Sequence, residues 1–207
     1  MGKIGVFGGT FNPVHKGHEI VALEFFDKFA LDKLIIIPTN IPPHKIADQK
    51  ASPQNRLEMC KVCFGKYKTR QIEVSDIEIK KEGVSYTINT LAALLQAYPG
   101  DLIYFLIGSD MFLYLKYWRG YRELLKMCVF VVAFRQGGAQ ELSEVAKFRD
   151  ELSSMGHKIE LLENKALEVS SSWLRDKLKG RDCAELGGYI SPEVIDYIKE
   201  RELYVLQ

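Results

Sequence analysis

No charge of one sign dominates this 207-residue chain: 28 Lys and Arg face 27 Asp and Glu, for a formal net charge of +1. A nucleic-acid binder shows a basic face, so composition speaks against that class, though not against a small anion held by a few local cations. Also missing is any uninterrupted apolar run approaching the ~18 residues that a membrane span needs. The opening MGKIGVFGGTF is broken by glycines, and no cleavage pattern follows it, so it does not read as a secretion signal. A cytoplasmic location is the resulting expectation. No repeat, low-complexity tract or linker divides the chain, and 47% of its residues are hydrophobic. One domain over residues 1–207 is expected.

Cysteine is scarce. Of the four, Cys60 and Cys63 form a CxxC pair, a spacing that can serve metal or redox chemistry. They lie in a helix-like segment, Gln54 to Phe64, with no second CxxC and no neighbouring histidine. A buried helix face is the better reading.

What is present is an alternation of strands and helices. Lys3 to Phe7 is a short apolar strand running into glycines, and Lys16 to Leu31 carries apolar residues at helical spacing. Lys33 to Ile37 (KLIII) has the continuous β-rich pattern of a strand buried on both faces. Prolines 38, 42 and 43 force an irregular loop. A helix starts near Pro53, and Arg70 to Ile79 alternates as a half-exposed strand would. Tyr86 to Tyr98 reads as a helix and Asp101 to Ile107 as a buried strand ending at Gly108. Met127 to Phe134 is another strand, ending at Arg135; Asp150 lies in a polar helix. Lys158 to Leu162 reads as a last strand, followed by helices near Ser171 to Leu178 and Pro192 to Arg201. This order predicts an α/β fold, a Rossmann-like doubly wound sheet, mainly parallel, with C-terminal helices. Ligands in such sheets bind beyond the carboxyl ends of the strands, where strand order reverses.

The unusual residues concentrate there. Gly8-Gly9-Thr10-Phe11-Asn12-Pro13-Val14-His15-Lys16-Gly17-His18 follows the first strand. Two glycines permit a sharp turn and close approach to a ligand, and the following helix start is a natural phosphate site. His15 and His18, three apart, share one helix face and can donate to phosphate oxygens. The bland alternative is a glycine turn with two surface histidines, but half of the chain's four histidines fall in this one turn. Near the other end, Val169-Ser170-Ser171-Ser172-Trp173-Leu174-Arg175 places serines before a helix, where hydroxyls cap it and face an anion; Arg175 is one turn from Ser171.

The first segment resembles the HxGH signature of the nucleotidyltransferase superfamily, and the second its ISSTxIR signature. The resemblance implies that His15 and His18 bind triphosphate and stabilise the transition state. Gly8, Gly9, Thr10, Phe11, Ser170, Ser171 and Arg175 would then complete an ATP site. Asn12 stands where aspartate is common; asparagine can hold the turn, but a role needing negative charge would be lost.

The remaining loops narrow the family. Pro42-Pro43-His44-Lys45 sets a cation after the second strand. Ser85-Tyr86-Thr87-Ile88-Asn89-Thr90-Leu91 opens a helix whose N–H groups suit a carboxylate. Gly108-Ser109-Asp110 ends a strand where a carboxylate meets a ribose or base. Trp118, within Lys116 to Arg122, offers a stacking face, and that stretch also suits a homo-oligomer interface. Together with Tyr189 to Ile198 they resemble bacterial nicotinate-nucleotide adenylyltransferases over essentially the whole chain. That resemblance implies ATP and nicotinate mononucleotide as substrates. It implies His15, His18, Lys45 and Arg175 as catalytic, with Gly108 and Asp110 on ATP. Lys45, Tyr86, Thr87, Trp118 and Arg135 fall to the acceptor. Mg²⁺ would be held mainly by the ATP phosphates, with no dedicated protein ligands. A nicotinamide nucleotide or phosphopantetheine as acceptor, and a non-catalytic nucleotide sensor, are the alternatives.

Overall fold

The computed structural model describes residues 1–43, 51–135, 139–165, 167, 169–179 and 184–204. In chain order the elements are β1 (Lys3–Gly9), α1 (Lys16–Lys28), β2 (Lys33–Pro38), α2 (Pro53–Phe64) and β3 (Ile72–Val74). They continue with α3 (Thr87–Ala97), β4 (Leu102–Gly108), α4 (Ser109–Leu113), α5 (Tyr121–Met127), β5 (Val129–Arg135) and α6 (Ala139–Ser154). The chain closes with β6 (Ile159–Asn164), α7 (Ser171–Leu178) and α8 (Pro192–Glu200).

The six strands form one sheet in the order β3-β2-β1-β4-β5-β6, every pairing parallel. This is the doubly wound arrangement expected, and strand order reverses between β1 and β4. Alternation within the strands fills two cores. Leu34, Ile36, Leu106, Val131 and Leu162 meet α1, α2, α7 and α8 on one face. Ile35, Ile37, Val6, Phe105, Phe130 and Val132 meet α3, α4, α5 and α6 on the other. Leu34 to Ile37 are all buried, each worth roughly 1.5–3 kcal/mol relative to exposure, which is why a strand with no polar face is stable here.

Local signals place the helix starts. Ser52 caps α2 by accepting from the Asn55 amide, with Pro53 in the first turn. Ser170 caps α7 by accepting from the Trp173 amide. One expectation fails: the alternating stretch Arg70 to Ile79 gives only the three residues of β3. As the sheet edge it has β2 as its one partner, paired through Ile36↔Val74. The chain then turns away, with the Lys80 amide donating to the Asp76 carbonyl. The short helices α4 and α5 went unpredicted.

Cys60 and Cys63 are buried in α2, as read. Burial, then the neighbouring Glu19, pushes the Cys63 thiol up to about 12, and burial raises Cys60 as well; neither is a poised thiolate. Among the described residues no helix is long and apolar enough to cross a membrane.

Candidate active site

The first signature folds differently in detail from the glycine turn that its sequence suggested. Gly8 and Gly9 extend β1, paired with Ile37 and Pro38 of β2. The reversal comes at Phe11, with φ +49°, followed by a cis Asn12–Pro13 peptide. Glycine still permits close packing here: a Cβ at Gly9 would lie 3.0 Å from the Phe11 ring, and one at Gly17 3.1 Å from the His15 ring and 3.2 Å from Val169.

His15 and His18 do share a face. His15 is the N-cap of α1, and its Nδ1 accepts the His18 amide N–H at 3.3 Å. His18 Nδ1 in turn accepts the His15 amide N–H at 3.3 Å, and the rings stack with centroids 3.6 Å apart. This is a capping box built from imidazoles. An Nδ1 that accepts a hydrogen bond carries no proton, so in this arrangement each ring holds its N–H at Nε2. The pair lines a cavity of about 660 Å³.

The second signature closes over the same turn. Arg175 Nη1 donates to the Asn12 carbonyl at 2.8 Å and Nη2 to Ser172 Oγ at 3.1 Å. Ser171 Oγ donates to the Pro13 carbonyl at 3.0 Å. The Tyr204 hydroxyl donates to Asn12 Oδ1 at 2.7 Å, a buried bond across 192 positions. Asn12 therefore keeps the turn-holding role allowed for it, without a charge. The Lys16 amide donates to the Tyr189 carbonyl at 2.8 Å, a further link between the two ends of the described chain.

Thr10, Phe11, His15, His18, Gly108, Asp110, Ser170, Ser171 and Arg175 line this one cavity, which lies off the carboxyl ends of β1, β4, β5 and β6. Asp110 sits in the first turn of α4. A Cβ at Gly108 would come 2.8 Å from its Oδ1, so glycine at the strand end leaves room for that carboxylate. Ser109 Oγ donates to Glu141 at the rim.

A second cavity of about 220 Å³ adjoins the first across β1. Gly8, Gly9, Tyr86, Thr87 and Trp118 line it, and Thr10, Pro42 and Gly108 border both. Here α3 begins with Tyr86 as N-cap and no side-chain cap hydrogen bond. The ordinary-capping alternative therefore fails, and the helix start faces the cavity lined by Tyr86 and Thr87. Arg119 lies over the Tyr86 ring, 4.8 Å from its centroid. Trp118 meets Phe105 edge-on at 6.4 Å; its Nε1 is buried without a partner.

Sequence reasoning missed two residues that line these cavities, Glu78 and Asn164, and one that stands behind them, Arg56. Arg56 of α2, 2% exposed, donates from Nη1 to the Thr10 carbonyl at 2.7 Å and from Nη2 to the Asn40 carbonyl at 2.9 Å. Glu78 lines the smaller cavity and accepts from Thr90 Oγ1 at 2.7 Å. Burial pushes its carboxyl above the ordinary range, against the hydrogen bonds from Thr90 and Ser85. Asn164, at the end of β6, donates to the Phe134 carbonyl at 3.1 Å and lines the larger cavity. A charged residue on an otherwise apolar helix stripe was the available signal for Arg56. Lys45 lies outside the described residues, as does the side chain of Arg135, whose backbone ends β5. Neither is placed in the site.

The cytidylyltransferase-like family model matches residues 6–177. A Fusobacterium nucleatum protein named "Probable nicotinate-nucleotide adenylyltransferase" is 38% identical over 96% of this chain and 97% of its own length. A Bacillus licheniformis protein of the same name is 38% identical over 99% of each. A Plasmodium falciparum nicotinic acid mononucleotide adenylyltransferase solved with NaAD superposes with a TM-score of 0.78. It is 21% identical, and the match covers 99% of this chain and 98% of that one; at that identity the likeness speaks for the fold. With both signatures folded against one cavity and identity sustained end to end, this chain belongs to the nicotinate-nucleotide adenylyltransferase family.

Proposed function

We propose that this protein transfers the adenylyl group of ATP to nicotinate mononucleotide, giving nicotinate adenine dinucleotide and pyrophosphate. The observation that carries the reading is the pair of adjoining cavities sharing Thr10. ATP occupies the larger, its phosphates against the Nε2–H groups of His15 and His18 and against Arg175. The acceptor occupies the smaller, its ring on Trp118 and its carboxylate at the uncapped start of α3 near Tyr86 and Thr87. An unpaired helix N-terminus suits a carboxylate better than a neutral carboxamide, which favours the nicotinate over the nicotinamide nucleotide.

The acceptor's phosphate oxygen attacks the α-phosphorus in line, the bond to the bridging oxygen breaks, and pyrophosphate leaves. The attacking phosphate is already ionised, so no general base is required. Catalysis then consists of alignment and of donors aimed at developing charge. His15 and His18 do this as neutral Nε2–H donors, and Arg175 as a fixed cation. Lys45 after β2 and Arg135 at the end of β5 are proposed to add charge on the acceptor side. Mg²⁺ is proposed to enter with the nucleotide, since it draws most of its ligands from phosphate oxygens and water.

The test is pyrophosphate release from ATP and Mg²⁺ with nicotinate mononucleotide, nicotinamide mononucleotide and phosphopantetheine offered separately. Strong preference for the first is expected. Activity confined to another acceptor would overturn the Trp118 and Thr87 assignments. Silence with all three, from folded protein that binds ATP, would leave a nucleotide sensor.

A further inference from the structure

A fully buried guanidinium with no carboxylate bound to it is an expensive residue to keep. Arg56 lies on the inward stripe of α2 with Leu57 and Cys60, where a methionine or leucine of similar volume would pack without the cost of desolvating a charge. Burial lowers its pKa, opposed by the fields of Tyr204, Cys60 and Glu78. Among the described residues it forms no ion pair. Its two hydrogen bonds go to backbone carbonyls instead, and those carbonyls belong to the turns that leave the adjacent strands β1 and β2. Nothing about burying α2 requires this.

The two carbonyls matter because of where they are. Thr10 borders both cavities. Asn40 sits in the loop that forms the outer wall of the smaller one: its amide donates to Ser85 Oγ at 3.1 Å and its Nδ2 to the Lys81 carbonyl at 2.9 Å. Its neighbour Ile41 bridges to Val84. The sheet ladder between β1 and β2 ends with the Thr39 amide donating to the Gly9 carbonyl at 2.9 Å, and the planar fork of Arg56 carries the fastening beyond it, to the turn after β1 and the loop leading to α3. A lysine has a single donor centre and no fork geometry with which to hold both carbonyls.

We propose that Arg56 is a positioning residue for the group transfer, fixing the Thr10 turn against the Asn40 loop so that the two substrates meet in line. This inference rests on the two-substrate reading above.

The experiment compares the parent enzyme with Arg56→Met and Arg56→Lys in kcat, in KM for ATP and for nicotinate mononucleotide, and in melting temperature, with rates taken per folded molecule. Misalignment of reacting groups by about 1 Å costs on the order of a hundredfold. Arg56→Met should therefore lose about ten- to a hundredfold in kcat, with both KM values within about threefold of the parent. Arg56→Lys should fall between the two. A purely structural role would move melting temperature and leave kcat per folded molecule intact; kcat within about twofold of the parent in Arg56→Met would overturn the proposal. Should Arg56→Met not fold, Arg56→Lys decides: parent-like kcat overturns the proposal, and a clear loss at unchanged melting temperature supports it. The parent is the control for the underlying reading. If it fails with nicotinate mononucleotide but works with another acceptor, that reading falls and Arg56 is scored on the acceptor used. If the parent is inactive with every acceptor, both fall.

Discussion

His15 and His18 occupy each other's backbone: the Nδ1 of each accepts the amide N–H of the other at 3.3 Å. The δ nitrogens are committed to folding, and the chemistry proposed for the pair falls to the ε nitrogens. The two sides of the ring can be separated by substitution. His18→Asn retains an acceptor at the δ position and should melt near the parent temperature, yet lose about a hundredfold or more in kcat, the usual cost of removing such a donor. His18→Gln reaches further with its amide N–H and should keep more activity, while losing a cap interaction worth about 1 kcal/mol. Kinetics and melting curves on the two variants check this; the reverse ranking would sink the division of labour.

Trp118 presents the only large aromatic face proposed for the acceptor ring. Stacking of a base on an aromatic side chain is worth about 1–3 kcal/mol. Trp118→Ala should therefore raise KM for nicotinate mononucleotide about tenfold or more and leave KM for ATP nearly unchanged. Steady-state kinetics with each substrate varied in turn provides the test, and a rise confined to ATP would refute the stacking.

Gly108→Ala should damage the site and spare the fold. The added methyl meets Asp110 Oδ1 at 2.8 Å, and Gly108 has an ordinary φ of −71°, so no backbone strain accompanies it. A displaced Asp110 carboxylate predicts a several-fold rise in KM for ATP with a melting temperature close to that of the parent. Unchanged ATP kinetics would remove Asp110 from the nucleotide site.

Glu78 predicts a pH dependence of stability. Its folded carboxyl holds its proton to higher pH than an unfolded chain would. As pH rises from the ordinary carboxylate range to the elevated folded value, the folded state binds more protons, so stability falls through that window and levels off above it. Glu78→Gln preserves an acceptor for Thr90 and removes the titration. Its melting temperature relative to the parent should climb between pH 4 and pH 7; a difference that stays flat would show that burial does not disfavour the charge.

Much of this was legible because the local signals were strong. KLIII with no polar residue between Leu34 and Ile37 specified a strand covered on both faces, and Ser170 before an apolar run specified the start of α7. The alternation from Arg70 to Ile79 was equally clear but short of partners, since pattern reports which face is apolar and says nothing about how far a neighbouring strand extends. The histidines stood out because two of the four fall in one turn beside glycines, and Arg175 because it stands one helical turn from Ser171. Arg56 and Glu78 were not, because one charged residue on a helix stripe or in a loop looks solvated until the tertiary structure buries it. The turn at Phe11 was misplaced onto Gly8 and Gly9 for a related reason: glycine permits a left-handed conformation without requiring it.

The hydrogen bond from Tyr204 to Asn12 joins residues 192 positions apart, and Tyr204 holds it from a left-handed backbone, φ +67°. A chain emerging at about 5–20 residues per second thus makes Asn12 early and its buried partner many seconds later. The sheet strands, all complete by Asn164, can pair before then. The turn at Asn12 gains Ser171 and Arg175 only afterwards, and Tyr204 later still. A ribosome-tethered intermediate would therefore own the parallel sheet before the turn at Asn12 is fully braced.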